Sequence, residues 1–154
     1  MVRLKLATLL LVLCTLSVVL PGTSISSAQG GRPFATELTG EAEVTAAGVP
    51  NQGDLDGVGT AEITLNPGLG QVCYTLIVSG ITLPAAAAHI HVGASTTTGP
   101  VVIGLSAPDA MGVASSCVQA DRDLILEIIQ NPGNYYVNVH NSDYPAGALR
   151  GQLG

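Results

Sequence analysis

Short runs in which apolar and polar residues alternate constrain the fold of this chain most. Two neighbouring runs, residues 59–65 and 71–79, are separated by Asn66-Pro67-Gly68-Leu69-Gly70. The apolar positions are Ala61, Ile63 and Leu65 in the first run and Val72, Tyr74, Leu76 and Val78 in the second. Side chains alternate between the two faces of a β strand, so both runs predict half-exposed strands. Proline fixes one backbone dihedral and glycine admits positive φ, so the intervening segment predicts a hairpin turn.

Further strands are predicted along the rest of the chain, at residues 34–44, 88–92, 101–105, 135–141 and 148–153. In the first of these, Glu37, Glu41 and Glu43 fall on the polar, solvent-facing side. Many short strands with turn signals between them are typical of an all-β fold, and we predict an antiparallel β-sandwich.

Two segments between the predicted strands have a different character. Residues 107–116 are rich in small residues and are predicted to be irregular, leading to Cys117. Asp121 is placed to cap one short helix, which Asn131-Pro132-Gly133 would end. The expected fold is therefore all-β with a single short helix.

The N-terminal residues have the pattern of an export signal. Arg3 and Lys5 precede an apolar run from Leu6 to Leu20, and small residues at 26–28 suit cleavage after Ala28. The apolar run is shorter than the roughly 20 residues that span a bilayer as a helix. We therefore expect residues 1–28 to be a signal peptide and residues 29–154 to be one exported domain, secreted or periplasmic, without a transmembrane anchor.

The cysteines and the charge balance are consistent with an exported chain that does not bind nucleic acid. Cleavage would remove Cys14 and leave Cys73 and Cys117, which predicts one disulfide with one possible pairing. It would also remove Arg3 and Lys5 and take the formal net charge from −6 to −8. Nucleic-acid binding needs clustered cations, which an acidic chain of this kind lacks.

All three histidines of the chain occur in two of the predicted strands. His89 and His91 share one face of the first strand, and His140 shares a face with Tyr136 and Asn138 in the second. If the two strands lie close together, three imidazoles meet at one point. Imidazole nitrogens suit copper, zinc and nickel, and the Irving–Williams order with an exported setting favours one copper ion over zinc. The alternative is that the histidines only form hydrogen bonds with neighbouring strands.

Three polar residues are expected to surround this cluster. Asn138 is predicted to be a hydrogen-bonding strut, and Tyr136 to flank the same surface. Arg150 lies on the polar face of the last strand, where the hairpin could bring it near His140. It is either an anion guide beside a metal or a structural residue that binds a carboxylate or loop carbonyls; the sequence favours the structural role.

Several motifs in order resemble the CHRD domain, which is named after chordin, an extracellular antagonist of bone morphogenetic proteins, and also occurs alone in secreted bacterial proteins. The motifs are Phe34-Ala35-Thr36-Glu37-Leu38-Thr39-Gly40, Ala87-Ala88-His89-Ile90-His91, Gly99-Pro100-Val101-Val102, Tyr136-Val137-Asn138-Val139-His140 and Pro145-Ala146-Gly147-Ala148-Leu149-Arg150-Gly151-Gln152-Leu153. The resemblance, to a bacterial-type single-domain member, covers nearly all of residues 29–154. It implies an extracellular β-sandwich module whose biochemical role is mostly undefined.

A second similarity concerns architecture only. A His-x-His strand with a distant histidine resembles the copper site of Cu/Zn superoxide dismutases, which are also β-sandwiches, so the sandwich is expected to be immunoglobulin-like or of this type. The chain has three histidines, too few for a two-metal dismutase site. Fold-level kinship alone does not establish an activity.

Three functions are compatible with these observations, one of which is a structural role in a cell-surface or matrix layer. The first is a secreted binding module whose partner is an extracellular protein, a polysaccharide or a metal ion. The alternative is a copper-dependent redox enzyme of the superoxide-dismutase-like type. Glycine-flanked nucleophile elbows and phosphate-binding glycine loops are missing from the sequence, so an enzymatic activity would have to depend on the histidines.

Overall fold

The computed structural model describes residues 30–154, and the predicted signal peptide lies outside the described residues. Within these described residues, eight strands, one α-helix and one short 3-10 turn follow each other. The strands are β1 (Arg32–Thr39), β2 (Val58–Asn66), β3 (Gln71–Ser79), β4 (Ala87–Val92), β5 (Val101–Leu105), β6 (Val113–Gln119), β7 (Tyr135–His140) and β8 (Leu149–Gln152). The helix is α1 (Arg122–Gln130), and the 3-10 turn spans Pro132–Asn134.

All eight strands belong to one antiparallel sheet in the order β5-β4-β7-β8-β1-β2-β3-β6. The sheet coils until its edge strands β5 and β6 come into contact, which makes the fold nearly a closed barrel. This architecture confirms the predicted all-β class with one short helix. The helix is capped as expected, because the Asp121 carboxylate accepts hydrogen bonds from the amides of Asp123 and Leu124.

The core lies on the inner face of the coiled sheet. Alternate residues of every long strand point into it, as the period-two patterns predict, and Ile125 and Ile128 of α1 pack against them. Fully buried members from the strands include Leu38, Ile63, Leu76, Ile90, Val137 and Leu149. Each buried aliphatic side chain of this size contributes about 1.5–3 kcal/mol through removal of apolar surface from water.

Cys73 and Cys117 form the predicted disulfide. They face each other in the register of β3 and β6, and their Sγ atoms are bonded across 44 residues of chain. Within residues 30–154, no helix has the length and apolar character to cross a bilayer.

Two boundaries differ from the sequence-based prediction. β1 ends at Thr39 rather than continuing to residue 44, because a Cβ at Gly40 would lie 1.9 Å from the backbone oxygen of Asp54. The chain leaves the sheet at this close approach, and Glu43 is buried instead of lying on an exposed strand face. The second difference is at 107–116, where β6 already begins at Val113 and pairs with β3.

The outer face of the sheet is covered at β4, β7 and β8. The segment between β4 and β5 and the segment between β1 and β2 both lie there, and a Cβ at Gly48 would contact the Thr96 carbonyl. Tyr136, Asn138 and Arg150, which point away from the core, are consequently no more than 3 % exposed. Of the outward-facing residues of β7, Tyr136 and Asn138 are buried and His140 is half-buried, so this polar face forms a second, largely buried layer.

Candidate metal centre

The pairing of β4 with β7 brings the three histidines together. His89 lies opposite Asn138, His91 opposite Tyr136, and Ala87 opposite His140, which places His140 diagonal to His89 on the same outer face. On its other side, β4 shifts register against β5 between Ile90 and His91. Irregularities of this kind redirect side chains next to functional sites.

The three rings form a compact group. One nitrogen from each of His89, His91 and His140 lies within 4.8 Å of the others. Nδ1 of His89 is 3.3 Å from Nε2 of His140. Two nitrogens bound at about 2.0–2.1 Å to one tetrahedral ion are about 3.3–3.4 Å apart, so this pair already has the required separation. The nitrogen of His91 lies within 4.8 Å of the other two, a separation at which the three residues could hold one metal ion.

Backbone carbonyls fix the proton positions on two of the rings. Nδ1 of His91 lies 2.8 Å from the Gly99 carbonyl, and Nδ1 of His140 lies 3.1 Å from the Pro145 carbonyl. A carbonyl oxygen only accepts, so both Nδ1 atoms carry hydrogen and both Nε2 atoms present lone pairs when the rings are neutral. Within the described part of the chain, the buried Nε2 of His91 has no hydrogen-bond partner. Metal-bound histidines are oriented by this type of outer hydrogen bond.

Electrostatics favour the neutral, ligating form of each ring. Burial lowers the pKa of His89, and the neighbouring His91 lowers it further. Burial also lowers the pKa of His91 and His140, although their hydrogen bonds to the Gly99 and Pro145 carbonyls act in the opposite direction. Metal binding requires deprotonated nitrogens, so these shifts reduce the competition between a proton and a metal ion.

Arg150 and Tyr136 form a stack that ends on His91. The Tyr136 ring lies parallel to the His91 ring, with centroids 4.9 Å apart and planes 9° apart. The Arg150 guanidinium carbon lies 3.5 Å from the centroid of the same tyrosine ring. Arg150 donates to the Thr97 carbonyl at 3.0 Å and to the Ala94 carbonyl at 2.7 Å. It therefore has the structural contacts that the sequence favoured over an anion-guiding position.

Asn138 connects the cluster to a buried acid. Its side-chain amide donates to the Glu43 carboxylate and to the Leu149 carbonyl. Burial raises the pKa of Glu43 to about 7, and Arg150 and the hydrogen bond from Asn138 oppose that rise. The strut role expected for Asn138 corresponds to these two contacts, whereas the involvement of Glu43 was not foreseen.

Two residues around the site, Glu43 and Gln152, are not predicted as site residues by the sequence. The alternating pattern predicts Glu43 on an exposed strand face, and the close approach at Gly40 that buries it has no signature in the local pattern. Gln152 shares a strand face with Arg150, and its side-chain amide donates to the Gly93 and Gly133 carbonyls at 2.8 Å each. The position of Gln152 on the same strand face as Arg150 is the sequence feature from which its place beside the site can be predicted.

Comparison with known proteins identifies the family of the chain. No curated protein matches it, and no solved structure matches it. The family model of the CHRD domain matches residues 34–153, from the third residue of β1 to the residue after β8. This match includes all three histidines, Asn138, Arg150 and both cysteines of the disulfide. The chain belongs to the CHRD domain family.

Proposed function

We propose that this protein is an exported CHRD binding module that holds one copper ion through His89, His91 and His140. The observation that carries the proposal is the convergence of three imidazoles, two of which have Nδ1 turned to backbone carbonyls. A histidine that only stabilised the sheet would not need its second nitrogen to be buried without a partner, as is the case for His91 among residues 30–154.

The donor set favours copper. Three imidazole nitrogens without a thiolate or a carboxylate suit copper and zinc, and among divalent ions copper binds such sites most tightly. Copper bound here would supply Lewis-acid or one-electron redox chemistry. The protein's own residues hold and orient it: Gly99 and Pro145 fix the ring tautomers, and Tyr136 supports the plane of His91. The redox-enzyme alternative stays a prediction.

Export is part of the same proposal. Disulfides form and persist mainly in oxidising compartments, so the Cys73–Cys117 bond supports export and agrees with the extracellular setting of CHRD domains. Cleavage after Ala28 would leave Gln29 as the first residue, and mass spectrometry of protein from its native compartment checks this. Mature protein that retains residues 1–28 would contradict the export step and leave the metal site unaffected.

Titration of metal-free protein with copper tests the metal site. We expect one equivalent to bind with a Kd far below tens of μM, and His91→Ala to weaken binding at least about a hundredfold because one of three ligands is lost. Asp56→Asn is the matched control, because it removes a negative charge from a surface depression that it lines with Asp54 and Asp143. We expect this control to bind copper like the wild type.

Two outcomes would contradict the proposal. The first is wild-type protein that takes up no copper more tightly than tens of μM. The second is uptake that His91→Ala leaves unchanged or that Asp56→Asn reduces equally, because binding would then reflect the acidic surface and not the histidines. Elemental analysis of natively purified protein gives an independent measure of stoichiometry.

A further inference from the structure

A buried cation lies beside the histidine cluster. Arg150 is 1 % exposed, and its guanidinium donates to two carbonyls of the segment between β4 and β5. Within residues 30–154 it forms no ion pair with a carboxylate at 4.0 Å or less. A buried guanidinium whose hydrogen bonds go mainly to neutral carbonyls keeps its full positive charge. The low effective dielectric constant of the protein interior screens this charge less than water would, so it acts on other charges several ångströms away.

One aromatic ring separates this charge from the site. Tyr136 is packed against Arg150 through its face and against His91 in a parallel stack. Water is excluded from this stack because Tyr136 is 3 % exposed and His91 9 % exposed. Through this stack the charge of Arg150 lies one aromatic ring away from the His91 ring, in a part of the structure that solvent does not reach.

Glu43, a buried acid near Arg150, counters this charge only when its carboxyl group is ionised. Glu43 is 4 % exposed, and burial raises its pKa to about 7, so a large fraction is neutral near neutral pH. Its carboxyl group accepts a hydrogen bond from Asn138, the residue opposite His89 in the register of β4 and β7. The three metal-binding side chains are themselves uncharged when they ligate. None of the groups that would hold the ion therefore compensates a second positive charge on it.

We propose that Arg150 biases the three-histidine site towards monovalent copper, Cu(I), and against divalent copper and zinc. The inference rests on the proposed function, because it concerns the ion held at that site. Two unit charges about 10 Å apart at an effective dielectric constant of about 20 change an equilibrium by on the order of tenfold. A divalent ion meets this repulsion twice and a monovalent ion once. Arg150 touches no ligand nitrogen and is a selectivity-determining residue.

Competition titrations with Cu(I) under anaerobic reducing conditions, with Cu(II) and with Zn(II) test the inference on the whole exported chain. We expect Arg150→Met to reduce the ratio of Cu(I) to Cu(II) affinity by about tenfold. This corresponds to a fall of about 59 mV in the reduction potential of the copper-loaded protein. Arg150→Lys retains the charge and is expected to keep most of the ratio, whereas a role confined to packing would make both variants alike.

Glu43→Gln is expected to change the ratio of Cu(I) to Cu(II) affinity in the opposite direction. It removes the countercharge while its side-chain oxygen still accepts from Asn138, so at pH 8 the ratio should rise above that of the wild type. If Arg150→Met does not fold, this variant alone decides, and an unchanged ratio at pH 8 overturns the inference.

The failures of the two proposals differ. Wild-type protein that binds none of the three ions contradicts the metal site itself. Wild-type protein that binds copper through the histidines, with a Cu(I)-to-Cu(II) ratio that Arg150→Met leaves unchanged, overturns only the role of Arg150.

Discussion

The two halves of the sheet use their outer faces in different ways. In one half, β2, β3 and β6 turn Thr75, Ser115 and the disulfide outwards; Ser115 and Cys117 are exposed, and Thr75 and Cys73 are half-buried. In the other half, β4, β7 and β8 turn the histidines, Asn138 and Arg150 outwards; loops bury His91, Asn138 and Arg150, and His89 and His140 are half-buried. We call these the disulfide half and the histidine half.

The inner faces of the two halves do not show this difference. Both contribute fully buried aliphatic residues to the same core, such as Leu76 from the disulfide half and Val139 from the histidine half. The alternating pattern that builds the fold is therefore compatible with either outer surface. Burying a polar outer face costs free energy unless each polar group finds a hydrogen-bond partner. The loops over the histidine half supply such partners and thereby hold the polar side chains in fixed positions.

Loss of the disulfide should have the largest effect that distinguishes the two halves: it should lower the stability of the fold without changing copper affinity. Replacing Cys73 and Cys117 by alanine removes a crosslink that closes a long loop and should lower the free energy of unfolding by about 4 kcal/mol. Copper affinity should not change, because the crosslink lies in the disulfide half. Urea denaturation and copper titration of the double variant measure the two quantities. A parallel loss of copper affinity would show that the halves are not independent.

The pH dependence of stability should show the buried acid of the histidine half. The folded-state pKa of Glu43 is raised from 4.5 to about 7, so the native state keeps a proton that the unfolded chain releases between these values. The free energy of unfolding therefore falls as pH rises through this range, by about 3 kcal/mol in total. Glu43→Gln should remove this decline.

The measurement is the difference between wild type and Glu43→Gln at pH 4.5 and pH 8. The difference cancels the histidines, whose lowered pKa values make stability rise with pH below their ordinary value of 6.5. Glu62→Gln, at an exposed position of β2, is the control from the disulfide half. Equal pH profiles for the wild type and both variants would contradict the burial of an acid with a raised pKa.

A methyl group beside the same acid should have a smaller effect. Gly147 has φ of 150°, and a Cβ there would lie 2.6 Å from the Glu43 carboxyl carbon. Gly147→Ala should destabilise the fold by about 2 kcal/mol through strain and overpacking. Gly104→Ala in β5 is the control, because a Cβ there meets nothing within 4 Å. Thermal unfolding of both variants checks this, and equal melting temperatures would count against the packing described.

Two tyrosine hydroxyls allow the finest comparison. Tyr136 accepts a hydrogen bond from the Gly99 amide at 3.2 Å, and Tyr74 of the disulfide half accepts one from the Ser106 amide at 2.6 Å. Phenylalanine at either position should cost about 1 kcal/mol of stability. Only Tyr136→Phe should also weaken copper binding, by less than about tenfold, because Gly99 orients His91. Equal copper affinities in the two variants would contradict that role.

The sequence predicts the frame of the site better than its surroundings. Alternation places His89 and His91 on one face, and the turn residues around the last hairpin correctly predict that β7 pairs with β8. The proximity of His140 to the other two rings required the additional hypothesis that β4 and β7 are neighbours. That hypothesis is confirmed by their register.

The loops over the histidine half could not be predicted for a physical reason. Backbone carbonyls of these loops accept hydrogen bonds from Arg150, His91 and Gln152. Every residue has a backbone carbonyl, so the sequence does not indicate which residue is the acceptor. Glu43 illustrates the same limit from the other side. A glutamate in an alternating run is indistinguishable from a solvent-facing one until the turn after β1 is known.

The spacing of the histidines along the chain determines when the full site can exist. His140 reaches His89 across 51 residues, and the connection includes β5, β6 and the helix. An unfolded chain offers the His89–His91 pair alone, so an ion that needs three imidazoles must wait until β7 has joined β4. A chain that crosses a membrane unfolded would therefore cross without an assembled three-histidine site. It could bind an ion at that site only after folding on the far side of the membrane.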